Sequence, residues 1–88
     1  MKNLEIELQN ETGLHARPAS LFIREASKYT SDIVVIKDGT EYNGKSIMGI
    51  LSMGASKGNK LTIKIKGIDE EQAYEGLKLL FENEINKN

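Results

Sequence analysis

One histidine and one proline occur in this 88-residue sequence, and a single arginine-containing motif holds both: Thr12-Gly13-Leu14-His15-Ala16-Arg17-Pro18-Ala19. Imidazole is the side chain best suited to take and release a group near neutral pH. Guanidinium offers a planar fork of donors that matches a phosphoryl group. After the motif, Ala19, Phe22, Ile23 and Ala26 recur at helical spacing, so a helix is expected from about Ala16 to Ser27 or Lys28. Pro18 fits a first helical turn, where its missing N–H costs nothing, and Gly13 permits the positive φ of a sharp entry. His15 then falls at or next to the N-cap. A helix N-terminus presents unpaired N–H groups and partial positive charge, which attract anions and disfavour imidazolium. His15 is therefore expected to be neutral near pH 7, with one ring nitrogen free as a nucleophile. The first-turn N–H groups, beginning at Ala16, and the side chain of Arg17 would stabilise a phosphoryl group taken up there. The competing reading is a surface loop histidine beside a solvated arginine. Histidine, arginine and proline together at a glycine-preceded helix start favour the chemical reading.

Composition narrows the classes. A chain of 88 residues makes one small domain, 1–88, with a modest core. A net charge of −1 argues against a dedicated nucleic-acid binder. Without cysteine there is no disulfide, thiol chemistry or cysteine-containing zinc site, and one histidine cannot build a multi-histidine metal site. No metal and no cofactor are expected. No apolar run has signal-peptide or bilayer-spanning length, so a cytoplasmic protein without membrane insertion is the default expectation.

The elements that must position the motif can be read in order. Leu4, Ile6 and Leu8 alternate with polar residues as in a half-buried strand. Gln9 to Gly13 is polar and turn-like. After the first helix, Ile33-Val34-Val35-Ile36 marks a second strand within Asp32–Lys37. Asp38-Gly39 suits a two-residue hairpin turn into a short return strand, Thr40 to Asn43. Ser46 is the expected N-cap of a short helix from Ile47 to about Met53, weakened by Gly49 and ended by Gly54. Leu61, Ile63 and Ile65 alternate along a last strand. Asp69 and Gln72 read as a capping box before a helix whose apolar face carries Ala73, Leu77, Leu80 and Phe81. Asn86 to Asn88 are expected to fray. The order is β-α-β-β-α-β-α with one-sided strands. That predicts an α+β open-faced two-layer sandwich, a four-stranded antiparallel sheet covered on one face by three helices.

A serine at a helix start is usually only a cap. A phosphate on Ser46 would still be tolerated, because the N-terminal dipole favours the added charge of about −1.5 to −2 at neutral pH. Ile47, Met48 and Leu51 cannot all face inward from so short a helix, which predicts an exposed apolar patch.

The stretches Gly13-Leu14-His15-Ala16-Arg17-Pro18-Ala19 and Lys45-Ser46-Ile47-Met48-Gly49 resemble the active-site and regulatory segments of the HPr family. These are the histidine-containing phosphocarriers of the bacterial phosphoenolpyruvate-dependent sugar phosphotransferase system, and the serine segment has the form found in low-GC Gram-positive bacteria. The resemblance implies that His15 takes phosphate on Nδ1 from phosphorylated enzyme I and passes it to the EIIA domains of sugar permeases. It makes Arg17 the stabiliser of the transferred group. It implies phosphorylation of Ser46 by an HPr kinase/phosphorylase, which slows acceptance from enzyme I and promotes binding to a LacI-type catabolite control protein. Leu14, Ile47, Met48 and Leu51 match the family's docking surface. The resemblance implies a phosphohistidine carrier rather than a stand-alone enzyme. Nothing in the sequence calls for an obligate oligomer, and a monomer is expected. The alternative is an HPr-like regulatory module that acts through the serine without carrying phosphate. The bacillar form of that module lacks the histidine that stands here at position 15.

Overall fold

A computed structural model describes residues 1–86. Four strands, β1 (Lys2–Glu7), β2 (Asp32–Lys37), β3 (Thr40–Asn43) and β4 (Lys60–Lys66), form one sheet in the order β1-β4-β2-β3. All three pairings are antiparallel, with Leu4 opposite Ile63, Ile33 opposite Ile65 and Val35 opposite Tyr42. Three helices, α1 (Ala16–Ala26), α2 (Ile47–Ser52) and α3 (Glu70–Leu80), complete the expected element order.

Periodicity explains the layers. Leu4, Ile33, Val35, Leu61, Ile63 and Ile65 point to one side of the sheet and are buried. Ala19, Phe22 and Ala26 of α1, Ile50 of α2, and Ala73 and Leu77 of α3 close over them in a single core. Phe22 meets Phe81 with ring centroids 5.8 Å apart and planes tilted by 60°, an edge-to-face type of contact. Alternate sheet residues, including Glu5, Thr62 and Lys64, stay on the uncovered face.

The β2–β3 hairpin turns through Asp38 (φ 52°) and Gly39 (φ 81°), the pair of positive φ values that a type I′ turn demands. α1 stops one residue before Ser27, and α2 is capped at Met53, with Gly54 (φ 63°) turning the chain away.

The end of the chain departs from expectation twice. Phe81–Ile85 continues α3 as a π-helical turn, which carries Ile85 into the core beside Phe81. Asn86 is not frayed. Its Oδ1 accepts from the Gln9 N–H at 2.8 Å, and its Nδ2 donates to the Glu7 carbonyl at 3.1 Å. This two-bond latch joins the π-helical turn after α3 to the segment leaving β1, and a side-chain to backbone pairing of that kind leaves no periodic signature in sequence. The rest of the stretch expected to fray, residues 87 and 88, lies outside the described residues.

Asp69 also departs from its expected role. It is the N-cap of α3 by position, but its side chain makes no capping bond. Its carboxylate accepts from the Thr30 N–H (2.9 Å), the Ser31 N–H (2.9 Å) and the Ser31 hydroxyl (2.5 Å) instead. Three donors from the turn after α1 outcompete one orphan helix N–H. Glu70 takes over locally, accepting from the Gly67 N–H at 3.0 Å.

Candidate functional site

The site is built on the loop between β1 and α1. Asn10 and Gly13 close it as a turn, with the Gly13 N–H donating to the Asn10 carbonyl at 3.2 Å. Gly13 has φ 61°, and a Cβ there would collide with the Ala55 carbonyl and lie 2.6 Å from Ser56 Cα. Glycine therefore serves two ends here, a left-handed turn and a close passage of two loops. The second loop follows α2. It is stitched to the first by the Leu14 N–H on the Ala55 carbonyl (3.1 Å), the Gly58 N–H on the Leu8 carbonyl (2.7 Å) and the Leu8 N–H on the Asn59 carbonyl (2.9 Å). Lys57 and Glu11 form a 3.0 Å ion pair across the same seam.

His15 is the N-cap of α1, in extended conformation (φ −85°, ψ −166°). Its carbonyl accepts the Ala19 N–H at 2.8 Å, so its main chain starts the helix. Its side chain is exposed and makes no capping hydrogen bond. Helix numbering explains why. Ala16, Arg17 and Pro18 occupy the first three helical positions, and an N-cap side chain normally engages the second or third N–H. Pro18 has none to give. The imidazole thus stands at the positive end of an eleven-residue helix, beside the first-turn N–H groups of Ala16 and Arg17, and neither it nor they have a hydrogen-bond partner among the described residues.

Arg17 is exposed, and among the described residues it forms no ion pair. It lines a shallow groove with Asn10, Thr12, Pro18, Leu21, Glu84 and Ile85. The π-helical turn brings Glu84 and Ile85 to that groove. Neither residue was singled out in the sequence, and the contact depends on a helix end whose register is set by packing.

Ser46 is the N-cap of α2, and its Oγ accepts from the Gly49 N–H at 3.0 Å. Asn43 supports the approach, its Oδ1 accepting the Lys45 N–H at 2.9 Å. The helix that follows buries Ile50 and leaves Ile47, Met48 and Leu51 at 36%, 73% and 39% exposure. The expected apolar patch is therefore present at those three residues. Leu14 is a correction. It is only 3% exposed and belongs to the core, because Gly13 turns the chain inward just before α1. It anchors the loop rather than offering a docking surface.

Two ionisable groups near the far end of α1 have strongly shifted pKa values. Burial, followed by the Glu25 carboxylate that accepts its hydroxyl at 2.7 Å, pushes Tyr29 up to about 12. The Ser31 hydroxyl, and then the Thr30 and Ser31 N–H groups, hold Asp69 down to about 2. Both belong to the packing of the α1 C-terminus against α3. Among the described residues, no group of three or more histidine, aspartate or glutamate side chains is arranged to hold a metal ion. Among the same described residues, no helix is long and apolar enough to cross a membrane.

Comparison with known proteins gives this arrangement its kinship. The family described as PTS HPr component phosphorylation site matches residues 2–83. The HPr-like protein Crh of Bacillus subtilis is 42% identical over 85 residues, covering 97% of this chain and all of the relative. The phosphocarrier protein HPr of Treponema pallidum is 38% identical over 80 residues, covering 91% of each chain. The crystal structure of HPr-C-His from Thermoanaerobacter tengcongensis superposes with a TM-score of 0.94 at 49% identity, covering 100% of this chain and 99% of that one. An HPr dimer from the same organism superposes with a TM-score of 0.77 at 49% identity, covering 99% and 100%. The relatives thus include both HPr and Crh, the βαββαβα fold is common ground, and the family match spans nearly the whole chain: the chain belongs to the HPr family of the phosphotransferase system.

Proposed function

We propose that this protein is a phosphocarrier, taking a phosphoryl group on His15 from phosphorylated enzyme I and delivering it to EIIA domains during sugar uptake. The observation that carries this reading is the exposed His15 imidazole, free of any capping bond at the head of α1. In the transfer, the Nδ1 lone pair forms the new P–N bond as the donor's bond to phosphorus breaks, and the bonding pair stays with the donor. No acid–base partner is needed in this chain. Catalysis rests on aligning the ring and on modest anion stabilisation from the Ala16 and Arg17 N–H groups and the Arg17 guanidinium. Ile47, Met48 and Leu51 form the docking patch, suited to small, transient interfaces with successive partners. The protein acts as a monomer in the cytoplasm.

Regulation acts through Ser46. Phosphate added by an HPr kinase/phosphorylase would sit at the start of α2, where helix N–H groups tolerate it. It would place negative charge beside the docking patch, slowing acceptance from enzyme I and favouring a LacI-type catabolite control protein. The likeness to Crh supports a second reading, in which the Ser46 switch is the whole function.

One experiment separates the two. Incubation with enzyme I and phosphoenolpyruvate should add the mass of one phosphate, labile to mild acid and absent from His15→Ala. A wild-type protein inert to enzyme I, yet phosphorylated on Ser46 by the kinase, would select the regulatory reading.

A further inference from the structure

Asn10 is a polar residue buried to 5% exposure, in a loop where neighbouring side chains reach solvent. Its side-chain amide donates to the Gly13 carbonyl at 2.9 Å and, at the longer distance of 3.5 Å, to the Thr12 hydroxyl. Its main-chain carbonyl receives the Gly13 N–H. The residue therefore grips Gly13 from both sides. The Leu14 N–H, the other polar end of the Gly13–Leu14 peptide, is held by the Ala55 carbonyl at 3.1 Å. Both ends of the Gly13–Leu14 peptide, the second peptide plane before the His15 Cα, are thus fixed, and the buried Leu14 side chain pins the residue that links it to His15. On the far side, the His15 carbonyl is fixed by the Ala19 N–H. The backbone is held one residue ahead of His15 and again at the His15 carbonyl, while its ring makes no capping bond. That is the arrangement a nucleophile needs if it is to be aimed without being consumed by hydrogen bonds.

The cost of the arrangement is visible in Asn10 itself. Its Oδ1 is buried without a hydrogen-bond partner in the protein, and it is the one side-chain atom in that condition among the described residues. An unpaired buried acceptor is destabilising. A side chain serving only to fill space at this position would therefore do better without it. What asparagine supplies, and an apolar residue could not, is the N–H on the Gly13 carbonyl.

We propose that Asn10 is a positioning residue for phosphoryl transfer: by holding the Gly13 carbonyl it fixes the Gly13–Leu14 peptide, and through the anchored Leu14 the path on which the chain enters His15 and aims its ring, without itself touching the phosphoryl group. This rests on the phosphocarrier reading. It separates aim from docking, because the Ile47, Met48 and Leu51 patch lies on α2 and shares no hydrogen bond with Asn10.

The test measures transfer from phosphorylated enzyme I over a range of concentrations of wild type, Asn10→Ala and Asn10→Asp, well below their melting temperatures. Asn10→Asp keeps the shape but has no N–H for the Gly13 carbonyl. Both variants should lower the saturating rate by roughly tenfold, short of the hundredfold that a 1 Å misplacement can cost. The half-saturating concentration should not change. Amide exchange at Leu14 should quicken in both variants while exchange in β2 and β4 is unchanged. An unchanged saturating rate, or a rise in half-saturating concentration alone, overturns the proposal, even if the melting temperature falls. If Asn10→Ala does not fold, Asn10→Asp carries the comparison. A wild type that accepts no phosphate overturns the carrier reading itself, and this proposal with it. A wild type that accepts phosphate at the same rate as the variants overturns only the role of Asn10.

Discussion

Replacing Gly13 by alanine tests how the two loops around His15 are joined, and Gly54 supplies the control. The two glycines have nearly the same backbone, φ 61° and φ 63°. They differ in surroundings: a Cβ on Gly54 meets nothing within 4 Å, whereas one on Gly13 runs into the Ala55–Ser56 backbone. A left-handed L-residue costs about 1–2 kcal/mol, and stiffening of the unfolded chain offsets about 0.4–1 kcal/mol of that. Gly54→Ala should therefore cost about 1 kcal/mol. Gly13→Ala bears the same backbone cost plus overpacking of about 1–3 kcal/mol, since the obstacle is main chain held by hydrogen bonds. Its total is about 2–4 kcal/mol. For a domain of this size each kcal/mol shifts the melting temperature by roughly 4–8 °C. Thermal unfolding followed by circular dichroism should then show a loss of roughly 4–8 °C for Gly54→Ala and at least twice that for Gly13→Ala. Equal losses in the two variants would refute the close-passage argument and leave only the positive φ to explain Gly13.

Arg17→Ala should slow phosphoryl transfer by roughly ten- to a hundredfold, in line with losing a charged stabiliser of the moving group, and leave the melting temperature within a degree or two; unchanged transfer kinetics would remove Arg17 from the mechanism. Ser46→Ala removes the bond to the Gly49 N–H and should cost about 1 kcal/mol of stability, whereas Ser46→Asp keeps a capping acceptor and should melt near wild type while accepting phosphate from enzyme I more slowly. The Asp69 carboxyl is depressed from 3.8 to about 2 in the folded protein. Its contribution to stability is therefore fully present above pH 4 or so and is lost as the pH falls toward 2. Denaturant unfolding between those values should show the decline, and Asp69→Asn should flatten it.

Local chemistry made much of this protein legible. The Asp38-Gly39 hairpin, the one-sided strands and the helix start at His15 each follow from a few adjacent residues and one backbone rule. The exposed patch on α2 followed from counting apolar side chains against the faces of a short helix. What stayed hidden involves partners far apart in the chain. The order β1-β4-β2-β3 places strands together that no periodicity links. Asp69 obeyed a capping pattern in sequence, but Thr30 and Ser31, brought to it by the fold, won its carboxylate. Leu14 matched a docking position by motif and proved to be core, because burial depends on where Gly13 sends the chain. Asn10 lay in a stretch read only as polar and turn-like, although an asparagine three residues before a glycine at a tight turn is a recognisable source of side-chain to backbone bonds.

The way β1 runs has a practical consequence for probes. The strand leaves Met1, whose amino group pairs with Glu70 at 2.9 Å, and arrives at the loop that carries His15. The amino group thus stands at the opposite end of the sheet from the imidazole. The last described residue, Asn86, is fastened to Glu7 and Gln9 where that loop begins. A fluorophore or surface tether coupled at Met1 gives up one exposed ion pair and leaves the imidazole unobstructed. The same attachment made next to Asn86 loads the two hydrogen bonds that hold the start of the loop carrying His15.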